Sequence, residues 1–219
     1  MNATKILSFL SELKQNNNRD WFQNNKDRFE ESKSQLMEIT NYLIASVSRY
    51  DNQVLGLEAK DCLFRIYRDV RFSKDKLPYK TNMGTYLAKG GRKSAYAGYY
   101  LHLEPGDNSF VAGGMHCPTT DVLAKVREDI DYHFDDFKAV INAKEFYDYY
   151  GELGQDNKLK RPPKGYSADN PAVEYLKLKS VISFRKLTDH ELSDGKFVDI
   201  VLDGFQKLYP LNQFLNRVL

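Results

Sequence analysis

The chain has little cysteine, little tryptophan and almost no net charge. Its 219 residues include two cysteines and one tryptophan, and the formal net charge is +2. Cys62 and Cys117 form neither a C-x-x-C pair nor a cysteine/histidine zinc spacing, which argues against a disulfide scaffold and the common structural zinc sites. We expect both to be small buried residues in a reducing compartment. The low net charge argues against a general polyanion binder but leaves room for a local basic site.

Long apolar runs and familiar catalytic motifs are also missing. No window approaches about 18 consecutive apolar residues, and the N-terminus lacks the basic start and apolar run of a secretory leader. We therefore expect a soluble, cytoplasmic protein with no membrane partner. The phosphate-binding loop, the dinucleotide-binding glycine motif, the zinc-protease motif, the hydrolase elbow and the EF-hand loop are absent too. The usual mechanisms of those classes have no support.

Helical and strand periodicities divide the chain into a helical start and a sheet-forming centre. Apolar residues at helical spacing predict helices over residues 3–14 and 22–47, the second capped by Asn18 and either continuous or joined near residues 32–34. Alternation predicts strands over 62–72 and 85–89. A hairpin of strands 96–104 and 109–115 surrounds the turn Pro105-Gly106-Asp107-Asn108.

The second half of the chain is predicted to be mostly helical. Pro118 and Thr119 open a helix, further helices cover about 134–142, 145–150 and 171–178, a strand covers 180–186, and the tail from residue 193 is helical. The predicted fold class is α+β, an antiparallel sheet with N-terminal and C-terminal helices packed on it. We expect a single domain over 1–219: a helical layer at 1–50, a sheet core at 60–116, and helices, a basic loop and one further strand at 119–219.

Positive charge is concentrated in the segment 62–82. Residues 65–80 hold six cations and two anions, a local excess of four charges in a chain that carries only two. Arginine and lysine side chains in this pattern suit phosphate or carboxylate, and Pro78 stiffens the loop. The candidate anion-binding residues here are Arg65, Arg68, Arg71, Lys74, Lys76 and Lys80.

Arg68 is out of place in the predicted strand because it falls on the apolar parity. Either a β-bulge re-aims it, which we favour, or it is buried and paired with Asp69 or Glu58.

A second basic loop covers residues 158–166 and is stiffened by two prolines. It adds Arg161 and Lys164 to the candidate anion-binding residues. Two stiff basic loops in a nearly neutral chain suggest one shared anionic ligand.

Three residues are candidates for proton transfer: Asp69, His102 and Glu104. The alternation places Arg65, Tyr67, Asp69 and Arg71 on one face of a strand, and Tyr100, His102 and Glu104 on one face of the hairpin. A carboxylate can orient a histidine as acid or base. The alternative is a solvated sheet face with cross-strand ion pairs.

A metal site is not predicted. The possible set of Asp69, His102, Glu104 and His116 matches no metal signature. The pair Gly113-Gly114 marks close approach of another backbone or of a ligand.

Four segments resemble a known family: N-R-D-W-F-Q-N-N-K at 18–26, F-R-I-Y-R-D-V-R-F-S-K-D-K-L-P-Y-K-T-N at 64–82, Y-Y-L-H-L-E-P-G at 99–106 and R-P-P-K-G-Y at 161–166. They are similar, in the same order over nearly the whole chain, to a widespread microbial family of conserved hypothetical proteins classed as a domain of unknown function. The resemblance implies a single-domain protein and brings no activity, cofactor or catalytic residue. The step His116-Cys117-Pro118 is less typical of the family, so Cys117 is a poor candidate for a shared role.

Three functions stay open at this point. The first is a protein that binds, or acts on, a small phosphorylated or carboxylated molecule. The second is a protein-interaction module that docks through residues 1–50. The third is a nucleic-acid-associated module, disfavoured by the net charge of +2. The sequence identifies no cofactor, reaction or oligomeric state, and leaves open whether the protein is an enzyme.

Overall fold

The central feature of the fold is a four-stranded antiparallel sheet. The computed structural model describes residues 1–71 and 73–219, and within them the strands pair in chain order. They are β1 (Met83–Leu87), β2 (Gly98–Leu103), β3 (Ser109–Met115) and β4 (Val181–Leu187). Each neighbouring pair is antiparallel.

Helices precede, interrupt and follow the sheet. The described residues form α1 (Thr4–Gln15), α2 (Arg19–Asn24), α3 (Lys26–Val47), α4 (Ala59–Cys62), α5 (Thr120–Tyr132), α6 (Phe134–Ile141), α7 (Lys144–Tyr150), α8 (Val173–Leu176), α9 (Asp189–Ser193) and α10 (Phe197–Asn216). The predicted α+β class, an antiparallel sheet with N-terminal and C-terminal helices, is therefore confirmed.

One face of the sheet is packed into the core. Alternate residues of β2, Tyr99 and Leu101, are buried on this face, as period-two alternation requires. Helix α10 packs on the same face: the ring of Phe205 lies 5.1 Å from that of Tyr99. A Cβ on Gly113 would lie 2.6 Å from Leu208. The helix therefore lies close against the backbone of β3.

Most of the predicted elements are present. The hairpin of β2 and β3 and the strand β4 are confirmed, with ends shifted by at most two residues. Asn18 accepts a hydrogen bond from the backbone N–H of Trp21 at 2.9 Å, which confirms it as a helix cap. The long N-terminal stretch is divided at Asn25, between α2 and α3, and is continuous through residues 32–34.

The predicted strand over residues 62–72 is wrong in the part that the structure describes. Cys62 ends α4, and the segment after it makes only isolated bridges, Leu63 to Thr85 and Tyr67 to Tyr79. The backbone N–H of Lys80 donates to Ile66 and that of Arg68 donates to Pro78, so the chain folds back on itself. We call residues 63–80 the basic hairpin. Phe72, the last position of the predicted strand, lies outside the described residues.

The basic hairpin is fastened to the N-terminal helices by Asn17. The side-chain amide of Asn17 donates to the carbonyl of Tyr79 at 3.0 Å and accepts from its N–H at 3.2 Å. The Tyr79 ring also stacks on Phe22, with centroids 3.9 Å apart and planes 11° apart. These contacts fix where the residues after Tyr79 leave the hairpin.

The cysteines differ in their surroundings. Cys62 is buried, as expected, but Cys117 is exposed. The expectation that both are buried is therefore wrong for Cys117, which lies in the turn between β3 and α5 rather than in the core.

The helices of residues 1–71 and 73–219 include none that is both long and apolar enough to cross a membrane.

Alanine at Gly114 tests how closely the strands approach. Gly114 has a φ of 107°, and a Cβ there would overlap the carbonyl oxygen of Val181. We expect Gly114→Ala to lower the free energy of unfolding by about 3 kcal/mol, from left-handed strain and overpacking together. Urea unfolding measures it. The matched control is Gly195→Ala, where a Cβ meets nothing within 4 Å; equal effects in both variants would contradict this account.

Candidate anion site on the open sheet face

The face of the sheet that points away from α10 carries aromatic and polar side chains. Cross-strand partners in an antiparallel sheet share a face. One row across the strands consists of Gly84, His102, Phe110 and Lys186, and the next of Tyr86, Tyr100, Ala112 and Phe184. We call this surface, together with Phe64 beside β1, the open face.

A hydrogen-bonded chain of four side chains lies on the open face. The hydroxyl of Tyr100 lies 2.9 Å from Nδ1 of His102, and Nε2 of His102 lies 3.1 Å from Oε2 of Glu104. Thr81 donates to the other carboxylate oxygen of Glu104 at 3.2 Å. Because an ionised carboxylate only accepts, the neutral imidazole carries its proton on Nε2, and Tyr100 donates to Nδ1.

A glycine on β1 makes room for this chain. A Cβ on Gly84 would lie 2.7 Å from the Tyr100 hydroxyl, so any larger residue would displace the tyrosine. The Tyr100 hydroxyl therefore lies over the backbone of β1, where it can donate to His102.

Burial keeps His102 neutral. Only 12% of its side chain is exposed, and burial is the largest effect that lowers its pKa from the ordinary value of 6.5. Glu104 opposes the shift through its hydrogen bond and its charge, while the charge of Lys80 adds to it. The ring is also stacked on Phe110, with centroids 4.5 Å apart.

Two cations lie together at the β1 edge of the open face. Lys80 is partly buried, with its ammonium 5.7 Å from the centre of the Phe64 ring. Burial, and then the charge of Arg65, lower the pKa of Lys80. Within residues 1–71 and 73–219, neither Lys80 nor Arg65 forms an ion pair, although the charge of Arg65 also helps to lower the pKa of Asp69. Because Asp69 is already bound by Arg71, these two neighbouring cations form a natural place for an anion.

Most of the other predicted anion-binding side chains already have partners within the basic hairpin. Arg68 pairs with Asp75 at 2.5 Å, Arg71 binds Asp69 through two nitrogens, and Lys76 donates to the carbonyl of Val70. Lys74 is exposed. The expected partners of Arg68, Asp69 or Glu58, are therefore wrong, and residues 63–71 form no strand that the favoured bulge could interrupt.

The structure brings together two of the three predicted proton-transfer residues. His102 and Glu104 are hydrogen-bonded to each other. Asp69 instead accepts hydrogen bonds from the side chain and the backbone N–H of Arg71, and these bonds and then the charge of Arg65 lower the pKa of its carboxyl. Within the described ranges, no hydrogen bond or ion pair joins Asp69 to His102 or Glu104.

The second basic loop lies elsewhere. Arg161 and Lys164 are exposed, and Leu159 donates to the carbonyl of Lys177 just after α8. In the described part of the chain, no hydrogen bond, ion pair or ring contact joins residues 158–166 to the basic hairpin. The structure therefore shows no contact that would join the two loops, and one shared ligand stays a prediction.

Several residues of the open face have no counterpart among the sequence-based candidates: Phe64, Thr81, Phe110, Phe184 and Lys186. Phe64 contacts Tyr100, which contacts Phe110, which contacts Phe184, with centroids 5.8, 5.7 and 5.9 Å apart. The sequence signal for these residues is weak, because the alternation of apolar and polar residues shows which side chains share a face of one strand but not which strands are neighbours.

No metal centre accompanies these residues. His116 lies beside Cys117, with Nε2 3.6 Å from Sγ, and not beside His102. Across residues 1–71 and 73–219, no group of three or more histidine, cysteine, aspartate or glutamate side chains is placed to hold a metal ion.

The chain belongs to the family of conserved hypothetical proteins DUF2461, whose family model matches residues 5–214. The resemblance to an uncharacterised family over nearly the whole chain is thereby confirmed. No curated protein and no solved structure matches the chain.

The pKa of His102 is expected to respond in opposite directions to its two charged neighbours. Glu104→Gln removes a negative charge and should lower it further, whereas Lys80→Gln removes a positive charge and should raise it. NMR titration of the imidazole resonances measures both. Lys164→Gln, a change of the same type on a remote exposed loop, should leave it unchanged, and shifts of the same sign in the first two variants would refute the arrangement.

The depressed pKa also makes stability depend on pH. Because His102 binds its proton less readily in the folded state, its contribution is complete above pH 6.5 and is lost as the pH falls through the folded pKa. We expect the wild type to lose more stability than His102→Gln below pH 6.5 in urea titrations. Parallel pH profiles for the two proteins would contradict this.

Proposed function

We propose that this protein binds a small phosphorylated or carboxylated ligand at the β1 edge of the open face, and that Arg65 and Lys80 hold the anionic group. The observation that carries the proposal is the pair of adjacent cations, one of them partly buried, neither of which forms an ion pair with a carboxylate among the described residues. A bound anion would relieve their mutual repulsion and complete the charge balance of the site.

The surroundings of Lys80 support this location. Its ammonium faces the aromatic ring of Phe64 rather than an acid, a contact that leaves its hydrogen-bond donors available. Arg65 is exposed and presents the planar guanidinium that suits two oxygens of one phosphate or carboxylate. Glu104, the acid of the hydrogen-bonded chain, is engaged by His102 and Thr81.

Binding is better supported than reaction. Both ring nitrogens of His102 have partners within the protein, so a proton exchanged with a ligand would have to pass through the Tyr100 hydroxyl or replace one of these contacts. We therefore assign Tyr100, His102 and Glu104 to a supporting layer beneath the ligand.

The protein-interaction function has less support. The apolar side chains of α1, including Phe9, Leu10 and Leu13, are buried within this chain, which gives no support to docking through residues 1–50. A cytoplasmic location belongs to the proposal, and the two free cysteines are in keeping with it.

Phosphate titration tests the proposal. Inorganic phosphate should shift the His102 resonances. It should also raise the pKa of the imidazole, because the negative charge of the phosphate offsets the positive charge of Lys80. Arg65→Gln and Lys80→Gln should each weaken the binding about tenfold, as expected for loss of one charge-assisted contact.

The control for that titration is Lys164→Gln, which removes one exposed lysine from the second basic loop. It should bind phosphate like the wild type. If phosphate binds equally well to all three variants, or leaves the His102 resonances unchanged at concentrations where it binds, the anion site is not at Arg65 and Lys80.

A further inference from the structure

An uninterrupted line of aromatic rings crosses the open face, and the rings at its two ends are exposed to solvent. Ring contacts connect Phe64 to Tyr100, Tyr100 to Phe110 and Phe110 to Phe184. Phe64 is 38% exposed and Phe184 is 43% exposed. The line therefore crosses every strand of the sheet, from the basic hairpin beside β1 to β4, and both of its terminal rings are available to a ligand.

Positive charge lies at both ends of this line. Arg65 and Lys80 are at the Phe64 end. At the other end Lys186 of β4 pairs across the strands with Phe110 and is exposed. Lys186 has no ion pair in the ranges 1–71 and 73–219. The acid on this surface, Glu104, is held by His102 and Thr81.

The length of the line determines which ligand fits it. From the segment beside β1 to β4 there are four inter-strand spacings, about 19 Å at roughly 4.8 Å each. A single small anion at Arg65 and Lys80 leaves Phe110, Phe184 and Lys186 unused. Small molecules are usually enclosed in concave pockets, and two clefts of the described residues, of about 390 and 450 Å³, are lined by other regions.

We propose that the open face binds single-stranded nucleic acid, with unpaired bases stacked on Phe64 and Phe184 and phosphates at Arg65, Lys80 and Lys186. This inference rests on the proposed anion site and extends its ligand from one anionic group to a strand with several phosphates and bases. Stacking on aromatic side chains requires unpaired bases and tolerates any sequence. The net charge of +2 for the whole chain leaves room for a local basic site of this kind.

Fluorescence anisotropy with a labelled octanucleotide is the direct test. Single-stranded RNA and DNA of the same sequence form two arms, and the DNA strand annealed to its complement and a mononucleotide form two more. We expect either single strand to bind more tightly than the duplex and the mononucleotide. The logarithm of the affinity should fall with the logarithm of salt concentration with a slope of about −2, from three phosphates at roughly 0.7 each.

The exposed phenylalanines supply the discriminating variants. Phe184→Ala and Phe64→Ala should each weaken octanucleotide binding roughly tenfold, the loss of one stacked base. Phe184→Tyr should retain the wild-type affinity because the ring is kept, whereas Phe184→Leu should behave like alanine. Tyr132→Ala removes an 81% exposed ring from α5 and serves as the control. Urea midpoints of all variants check folding.

The outcomes separate this inference from the proposed anion site. If Phe184→Ala binds the octanucleotide like the wild type, or if the duplex or the mononucleotide binds as tightly, the nucleic-acid inference is overturned while phosphate binding at Arg65 and Lys80 stands. If Arg65→Gln and Lys80→Gln change neither phosphate nor octanucleotide binding, the anion site fails and the inference fails with it.

Discussion

The packing of α10 on one face of the sheet is the constraint on which the rest depends. Once Tyr99 and Leu101 are buried against that helix, the two-residue period of the strand obliges Tyr100 and His102 to point the other way. Gly113 lets the helix come close to β3. The same packing that stabilises the fold therefore displays a fixed set of rings and polar groups on the opposite face.

The register between strands then converts separate side chains into a surface. Gly84, His102 and Phe110 occupy one row because β1, β2 and β3 pair in a single antiparallel register. A slip of one residue would send His102 into the core and bring Leu101 or Leu103 to the open face. Gly84 contributes by having no side chain, because the Tyr100 hydroxyl occupies that space when it bonds to His102.

Sequence reasoning predicted the elements whose signals are local. Asn18 and Thr119 cap helices through their own side chains, and the hairpin follows from its turn residues. The strand predicted after Cys62 was wrong because the alternation of apolar and polar residues shows which side chains are buried, but not which segment the backbone pairs with. Ile66 is buried and Tyr67 exposed as in a strand, yet the chain turns back and pairs with itself. Phe184 could not be placed beside Phe110 without the pairing of β3 and β4, which joins residues between 66 and 78 positions apart.

The role of Asn17 makes the basic hairpin sensitive to deamidation. Its amide imitates a neighbouring strand by both donating to and accepting from the backbone of Tyr79. Asparagine is chemically labile, and deamidation to aspartate would leave a group that only accepts. The new carboxylate would face the Tyr79 carbonyl with no proton to give it. A change of one atom in the loop between α1 and α2 would thus loosen the anchor one residue before Lys80, so chemical damage far along the chain would reach the anion site through two hydrogen bonds.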